Sequence, residues 1–111
     1  MPKYLTVASY TAEGAKGLLK EGGTARRAVV ETMMKSIGGK LESFYFAFGE
    51  HDAYVISEIP DNITAAAVSL AISASGAVNS RTIVLLTPEE IDGASKKGVK
   101  FRPPGRAKRG T

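Results

Sequence analysis

The period of hydrophobic and polar positions changes several times along the chain, and each change marks an element. Lys3 to Tyr10 alternates, with Tyr4, Thr6, Ala8 and Tyr10 on one side and Leu5, Val7 and Ser9 on the other, which predicts a strand. Thr11 stands as a cap before a short helix, Ala12 to Lys20, weakened by Gly14 and Gly17. Glycine instead of glutamate at its third position leaves no capping box. Gly22-Gly23 breaks the chain, and Thr24 restarts it as the N-cap of a helix over Ala25 to Ser36. Val29, Val30, Met33, Met34 and Ile37 mark its apolar face, and Arg26, Arg27, Glu31 and Lys35 the polar one. Gly38-Gly39 stops it. Lys40 to Phe48 and His51 to Ile59 read as two strands joined at Gly49-Glu50 in a tight hairpin. Asp61 caps a third helix, Ile63 to Ser75, which is alanine-rich, uncharged and therefore expected to be covered on more than one side. Val78 to Thr87 is a fourth strand, and Pro88-Glu89-Glu90 opens a last helical turn with acids at its positive end.

The order β-α-β-β-α-β makes two strand-helix-strand halves. With right-handed crossovers it predicts an α+β domain: a ferredoxin-like, four-stranded antiparallel sheet with its helices on one face. A sheet with one wet face should alternate cleanly between apolar and polar. These strands do not. Leu41, Tyr45 and Ala47 oppose Phe44, Phe46 and Phe48; Val55 and Ile59 oppose Tyr54 and Ile56; Ile83 and Leu85 oppose Val84 and Leu86. Both faces ask for cover, and a second copy of the chain supplies it by two-fold pairing. The plainer alternative is that the C-terminal segment folds back over the open face. Its basic composition, with Val99 and Phe101 as its only large apolar residues, argues against that.

Charge separates the chain into two parts. Residues 1–95 hold eight basic and eleven acidic groups, net −3, whereas residues 96–111 hold seven basic groups and no acid. The reading is an acidic domain, residues 1–95, followed by a basic extended tail, residues 96–111, in which Gly98 and Pro103-Pro104-Gly105 disfavour regular structure. The absence of cysteine excludes disulfides and thiolate chemistry and fits a reducing compartment. The longest mostly apolar stretch, Ile63 to Ile72, is interrupted by Thr64 and Ser69 and falls short of the roughly 20 residues a membrane helix needs. Met1-Pro2-Lys3-Tyr4 has no apolar run behind it, so the expectation is a cytoplasmic protein with no membrane association.

The hairpin Ser43-Phe44-Tyr45-Phe46-Ala47-Phe48-Gly49-Glu50-His51-Asp52-Ala53-Tyr54-Val55-Ile56 resembles that of the GYD-domain proteins. These are small bacterial proteins with a glycine and then a tyrosine-aspartate pair at this turn. The resemblance continues in Gly38-Gly39-Lys40-Leu41, Pro60-Asp61, Arg81-Thr82, Leu86-Thr87-Pro88-Glu89-Glu90 and Phe101-Arg102-Pro103-Pro104-Gly105. His51 replaces the motif tyrosine, while Gly49 and Asp52 remain, so a role resting on that phenol does not carry over. The resemblance implies a dimeric α+β barrel and no particular activity. Other families of that fold include cofactor-free monooxygenases, muconolactone isomerases, haem enzymes and ligand sensors, an analogy of fold alone.

The candidate chemistry is sparse. His51, the only histidine, is a candidate general base, with Glu50 and Asp52 beside it. Alternation on a strand sends neighbours to opposite faces, so His51 and Asp52 should not form a dyad, and the plainer role for Asp52 is to accept backbone hydrogen bonds at the hairpin end. Tyr10, Tyr45 and Tyr54, with Tyr4, are candidate ligand-binding phenols in a barrel cavity, against ordinary aromatic packing. Arg81 in an apolar strand would meet a ligand carboxylate or, more simply, pair with Asp52 or Glu50. One histidine and scattered acids make no metal site, and no phosphate-binding loop or cofactor motif is present. The tail offers charge for nucleic acid but no stacking platform. The leading functional expectation is a dimeric module that binds a small organic ligand between helices and sheet, without cofactor. The alternatives are a cofactor-independent enzyme resembling the monooxygenases or isomerases, and an assembly protein with no pocket.

Overall fold

The computed structural model describes residues 1–105. Its elements are β1 (Lys3–Tyr10), α1 (Ala12–Glu21), α2 (Gly23–Ser36), β2 (Lys40–Phe46), β3 (Ala53–Glu58), α3 (Asn62–Ala74), β4 (Val78–Leu85) and α4 (Pro88–Ser95). The sheet is four-stranded and antiparallel throughout, in the order β2-β3-β1-β4. This is the predicted ferredoxin-like α+β arrangement, with β1 and β3 central and the two halves interleaved.

One face of the sheet carries α2 and α3. Tyr4, Met34, Ile59 and Ala65 form a buried cluster at one end of that layer, extended by Met33, Ile37, Leu41 and Val68. Ala8, Ala53 and Val78 form a second cluster at the other end, with Phe44 and Ile72 against it. The even-numbered residues of β1 supply this face, as their alternation predicts.

Several local expectations change. The first helix boundary is not capped by Thr24: Gly22, at φ 85°, ends α1 through its N–H to the Leu18 carbonyl (2.8 Å) and opens α2 by accepting from Arg26 (3.2 Å). Only a residue free to take positive φ turns one helix into the next within a single position. The hairpin connection is longer than predicted, residues 47–52, because the chain there turns to pair with β1: Asp52 N–H donates to the Ala8 carbonyl (2.9 Å) and Ala47 N–H to the Asp52 carbonyl (2.8 Å). A bulge at Glu42 shifts the register between Leu41↔Ser57 and Ser43↔Ile56. It reverses the parity of β2, so Leu41 joins the core with Phe44, whereas strict alternation paired it with Tyr45. Glu42 turns outward to Lys3, 2.6 Å away. Finally, α3 is covered on one side only within the chain. Asp61 caps it as expected (Oδ1 to Thr64 N, 2.7 Å), but Ala65 is its sole buried residue, and Ile63 and Leu70 face outward.

The last helix is longer than the predicted turn. Thr87 and Glu90 form a reciprocal capping box, Thr87 N–H to Glu90 Oε1 at 2.8 Å and Glu90 N–H to Thr87 Oγ1 at 3.1 Å, with Pro88 at the first position. No residue of α4 is buried. Residues 96–105 follow it exposed and without helix or strand. Arg106, Lys108 and Arg109 of the basic tail lie outside the described residues.

Candidate functional site

Small side chains on the central strands leave room beneath the helices. Ala8 and Ala53, both buried, form a floor that no large side chain fills, with Thr6 and Val55 beside them. Val30 and Met33 of α2 and Ile72 of α3 form the roof. The result is a mostly apolar cavity of about 80 Å³ between sheet and helices. One water needs ~10–15 Å³ on that measure, so the space takes a compact organic group.

A few polar groups reach into it. Tyr10 ends β1 on the helix face, and Arg26 comes from the first turns of α2. Ser80 lies on β4, and its Oγ is buried with no hydrogen-bond partner. Burial pushes the Tyr10 phenol above its ordinary 10.0, against the opposing pull of the Arg26 charge beside it, and Asp52 and Glu21 push it the same way as burial. The phenol is therefore a hydrogen-bond donor at neutral pH. A folded-state value raised above the unfolded one stabilises fully below pH 10 and is lost as pH rises through the folded value. Denaturation midpoints are expected to fall above pH 10, and to fall less in Tyr10→Phe.

The sequence-predicted residues divide between the two faces of the sheet. Tyr10 alone lines the cavity. Its backbone N–H donates to Asp52 Oδ2 at 2.8 Å, so Asp52 supports the site by holding the strand end and takes the backbone role foreseen for it. His51 lies toward the opposite face, with Nδ1 3.2 Å from Ser9 Oγ, Nε2 3.9 Å from Glu50, and its ring edge-on to Tyr54 at 6.3 Å. His51 and Asp52 thus diverge, as expected. Tyr45 and Tyr54 are cross-strand partners on that open face, 71% and 38% exposed. Arg81 sits across from Val7 and is exposed. The expected ion pair to Asp52 or Glu50 is absent: among the described residues the ion pairs are Lys3–Glu42 and the long His51–Glu50 contact. Asp52 is occupied at the Tyr10 N–H, three register rows from the Val7↔Arg81 pair. Tyr4 is a core residue whose hydroxyl donates to Asn62 Oδ1 at 2.6 Å. Among the described residues no group of three metal-ligating side chains occurs, and no helix is long and apolar enough to cross a membrane.

Two cavity residues escaped the sequence reading. Arg26 is half-buried, not on a solvated face. Its spacing to Val30 and Met33, four and seven positions, is the signal that places it on the apolar stripe. Ser80 had no signal, because serine in a strand is compatible with either face.

A family model of the GYD domain matches residues 4–94, from the second residue of β1 almost to the end of α4. The chain belongs to the GYD-domain family. The match spans the whole sheet, the cavity and the hairpin with Gly49, His51 and Asp52, while the closing Phe101 to Gly105 run lies beyond it. Comparison with curated proteins and with solved structures found no match. In this GYD domain the motif aspartate, Asp52, ties the hairpin loop to β1 next to the cavity, and the motif position occupied by His51 faces the other way.

Proposed function

We propose that this GYD domain is a dimeric module that binds a small, largely apolar organic molecule between α2, α3 and the sheet. The observation that carries the reading is the cavity itself, apolar over most of its wall and supplied with a few inward polar groups, one of them the unpartnered Ser80 hydroxyl. Small-molecule sites have this composition, and a protein built only for assembly has no need of it. The test is an NMR screen of compact aromatic and branched aliphatic compounds against the full chain. Binders are expected to shift the amides of Ala8, Ala53 and Val78. Val30→Phe, which fills the roof, is expected to abolish those shifts while its melting transition stays cooperative. Absence of any cavity-centred binder, or binding undisturbed in Val30→Phe, would overturn the reading.

Dimerisation has separate support. The open face presents Leu5, Tyr45, Tyr54, Ile56, Ile83 and Leu85 on adjoining register rows, with Ile83 46% exposed. Among the described residues the C-terminal segment does not cover them, since α4 and residues 96–105 are themselves exposed, Ile91, Val99 and Phe101 included. A second copy matches this surface by symmetry and buries it in both chains. On this reading Tyr45, His51, Tyr54 and Arg81 belong to the contact between copies or its rim. Light scattering is expected to give twice the chain mass at micromolar concentration, and the chain mass for Ile83→Asp. A monomeric parent protein would remove the dimer and leave the cavity untouched.

A further inference from the structure

Arg26 is a cation that makes no ion pair among the described residues. It stands in the first turns of α2, a helix with no acidic residue in its first turn and no side-chain cap. The positive end of a helix disfavours a cation there. It is half-buried against an apolar cavity, where a charge loses hydration. Asp52 and Glu21 are close enough to act on Tyr10, yet neither makes an ion pair with Arg26 among the described residues. The neighbouring Tyr10 phenol accepts a hydrogen bond from the guanidinium, but as a neutral group it brings no charge to balance it. The remaining guanidinium N–H groups and the phenol O–H therefore converge at one end of the cavity, and among the described residues no carboxylate pairs with them.

We infer that the cavity selects small organic monocarboxylates, with the apolar body over Ala8 and Ala53 and the carboxylate held by Arg26 and Tyr10. This rests on the reading of the cavity as a ligand site. A carboxylate supplies two acceptor oxygens to the guanidinium and the phenol, and charge-assisted bonds are the stronger kind, more so where water is excluded. One arginine balances one charge, which favours a monoanion over a dianion such as phosphate. An ammonium ligand would meet Arg26 as a like charge. Ser80 Oγ lies on another wall of the space, from β4, and offers a hydrogen bond to a second polar atom of the ligand, which favours a hydroxy- or oxo-substituted acid over a plain hydrocarbon one.

Benzoate and benzamide have the same shape and differ in charge. Titrated by NMR into the full chain, benzoate is expected to bind about tenfold tighter or more, the margin that a charged over a neutral hydrogen bond allows. In Arg26→Gln that preference is expected to vanish, because benzoate loses a charge-assisted bond and benzamide only a neutral acceptor's. Arg26→Lys should retain part of the preference, and Tyr10→Phe should reduce it. Free of ligand, Arg26→Gln is expected to melt no lower than the parent. Equal binding of the two probes would overturn the carboxylate inference and leave the cavity reading standing. Failure of both probes together with an empty screen would overturn both. A benzoate preference that persists in Arg26→Gln, or shifts confined to the basic residues 96–105, would also overturn it. If Arg26→Gln does not fold, Arg26→Lys and Tyr10→Phe decide by the same comparison.

Discussion

Gly14→Ala and Gly17→Ala, three residues apart in the same helix, are expected to change stability in opposite directions. A Cβ on Gly14 would overlap the backbone carbonyl oxygen of Ala77 and crowd the Tyr10 ring. That carbonyl is already fixed: it accepts from Thr11 N–H at 3.0 Å and from Thr11 Oγ1 at 3.2 Å. The closest approach of α1 to the start of β4 therefore has no flexible side chain that can yield. Overpacking costs about 1–3 kcal/mol. The helix propensity gained on replacing glycine returns about 1 kcal/mol of it, and with rigid backbone as the obstacle the cost lies at the upper end, so a net loss of up to about 2 kcal/mol is expected for Gly14→Ala. Gly17 has no atom within 4 Å of where its Cβ would stand. Gly17→Ala should then gain about 0.5–1 kcal/mol from the restricted unfolded chain and the better helix former. Urea denaturation of the two variants beside the parent checks both signs. Two variants that move together would refute the packing described for Gly14.

Asp52→Ala is expected to lose about 1.5–3 kcal/mol, the range for a hydrogen bond to a charged group. Its carboxylate does what a strand would otherwise do. The β1–β3 ladder ends at Ala8↔Ala53, and the next outward N–H of β1, that of Tyr10, finds Asp52 Oδ2 at 2.8 Å in place of a backbone carbonyl. Removing it leaves a partly buried N–H unpaired at the residue whose phenol lines the cavity. Asp52→Asn keeps an acceptor at the same reach and should lose less than half as much. Hydrogen exchange at the Tyr10 amide gives a local readout: protection should drop sharply in Asp52→Ala and modestly in Asp52→Asn. Unchanged protection in the alanine variant would show that the carboxylate does not hold this strand end. Asp52 is thus a strand anchor next to the cavity, while its neighbour His51 faces the open side of the sheet.

The sequence by itself determined the architecture. Alternation in β1, the glycine stops after α2 and α3, and the Asp61 cap are local features, read from backbone preference and from which side of an element is greasy. Those preferences act within a few residues, so they survive without knowledge of what packs where. The apolar character of both sheet faces was legible for the same reason. What lies between elements was not. The bulge at Glu42 moves Leu41 to the core side, and a single extra residue in a strand inverts every assignment on one side of it. Tyr10 and Tyr54 look alike in the sequence, yet one lines the cavity and the other the open face. Arg26, grouped with Arg27 on a polar face, turns out to share a stripe with Val30 and Met33, because what packs beneath α2 decides how wide the buried stripe is. The cavity itself exists only in three dimensions. It needs Ala8 and Ala53 to be neighbours across two strands far apart in the chain, and needs α2 and α3 to meet above them.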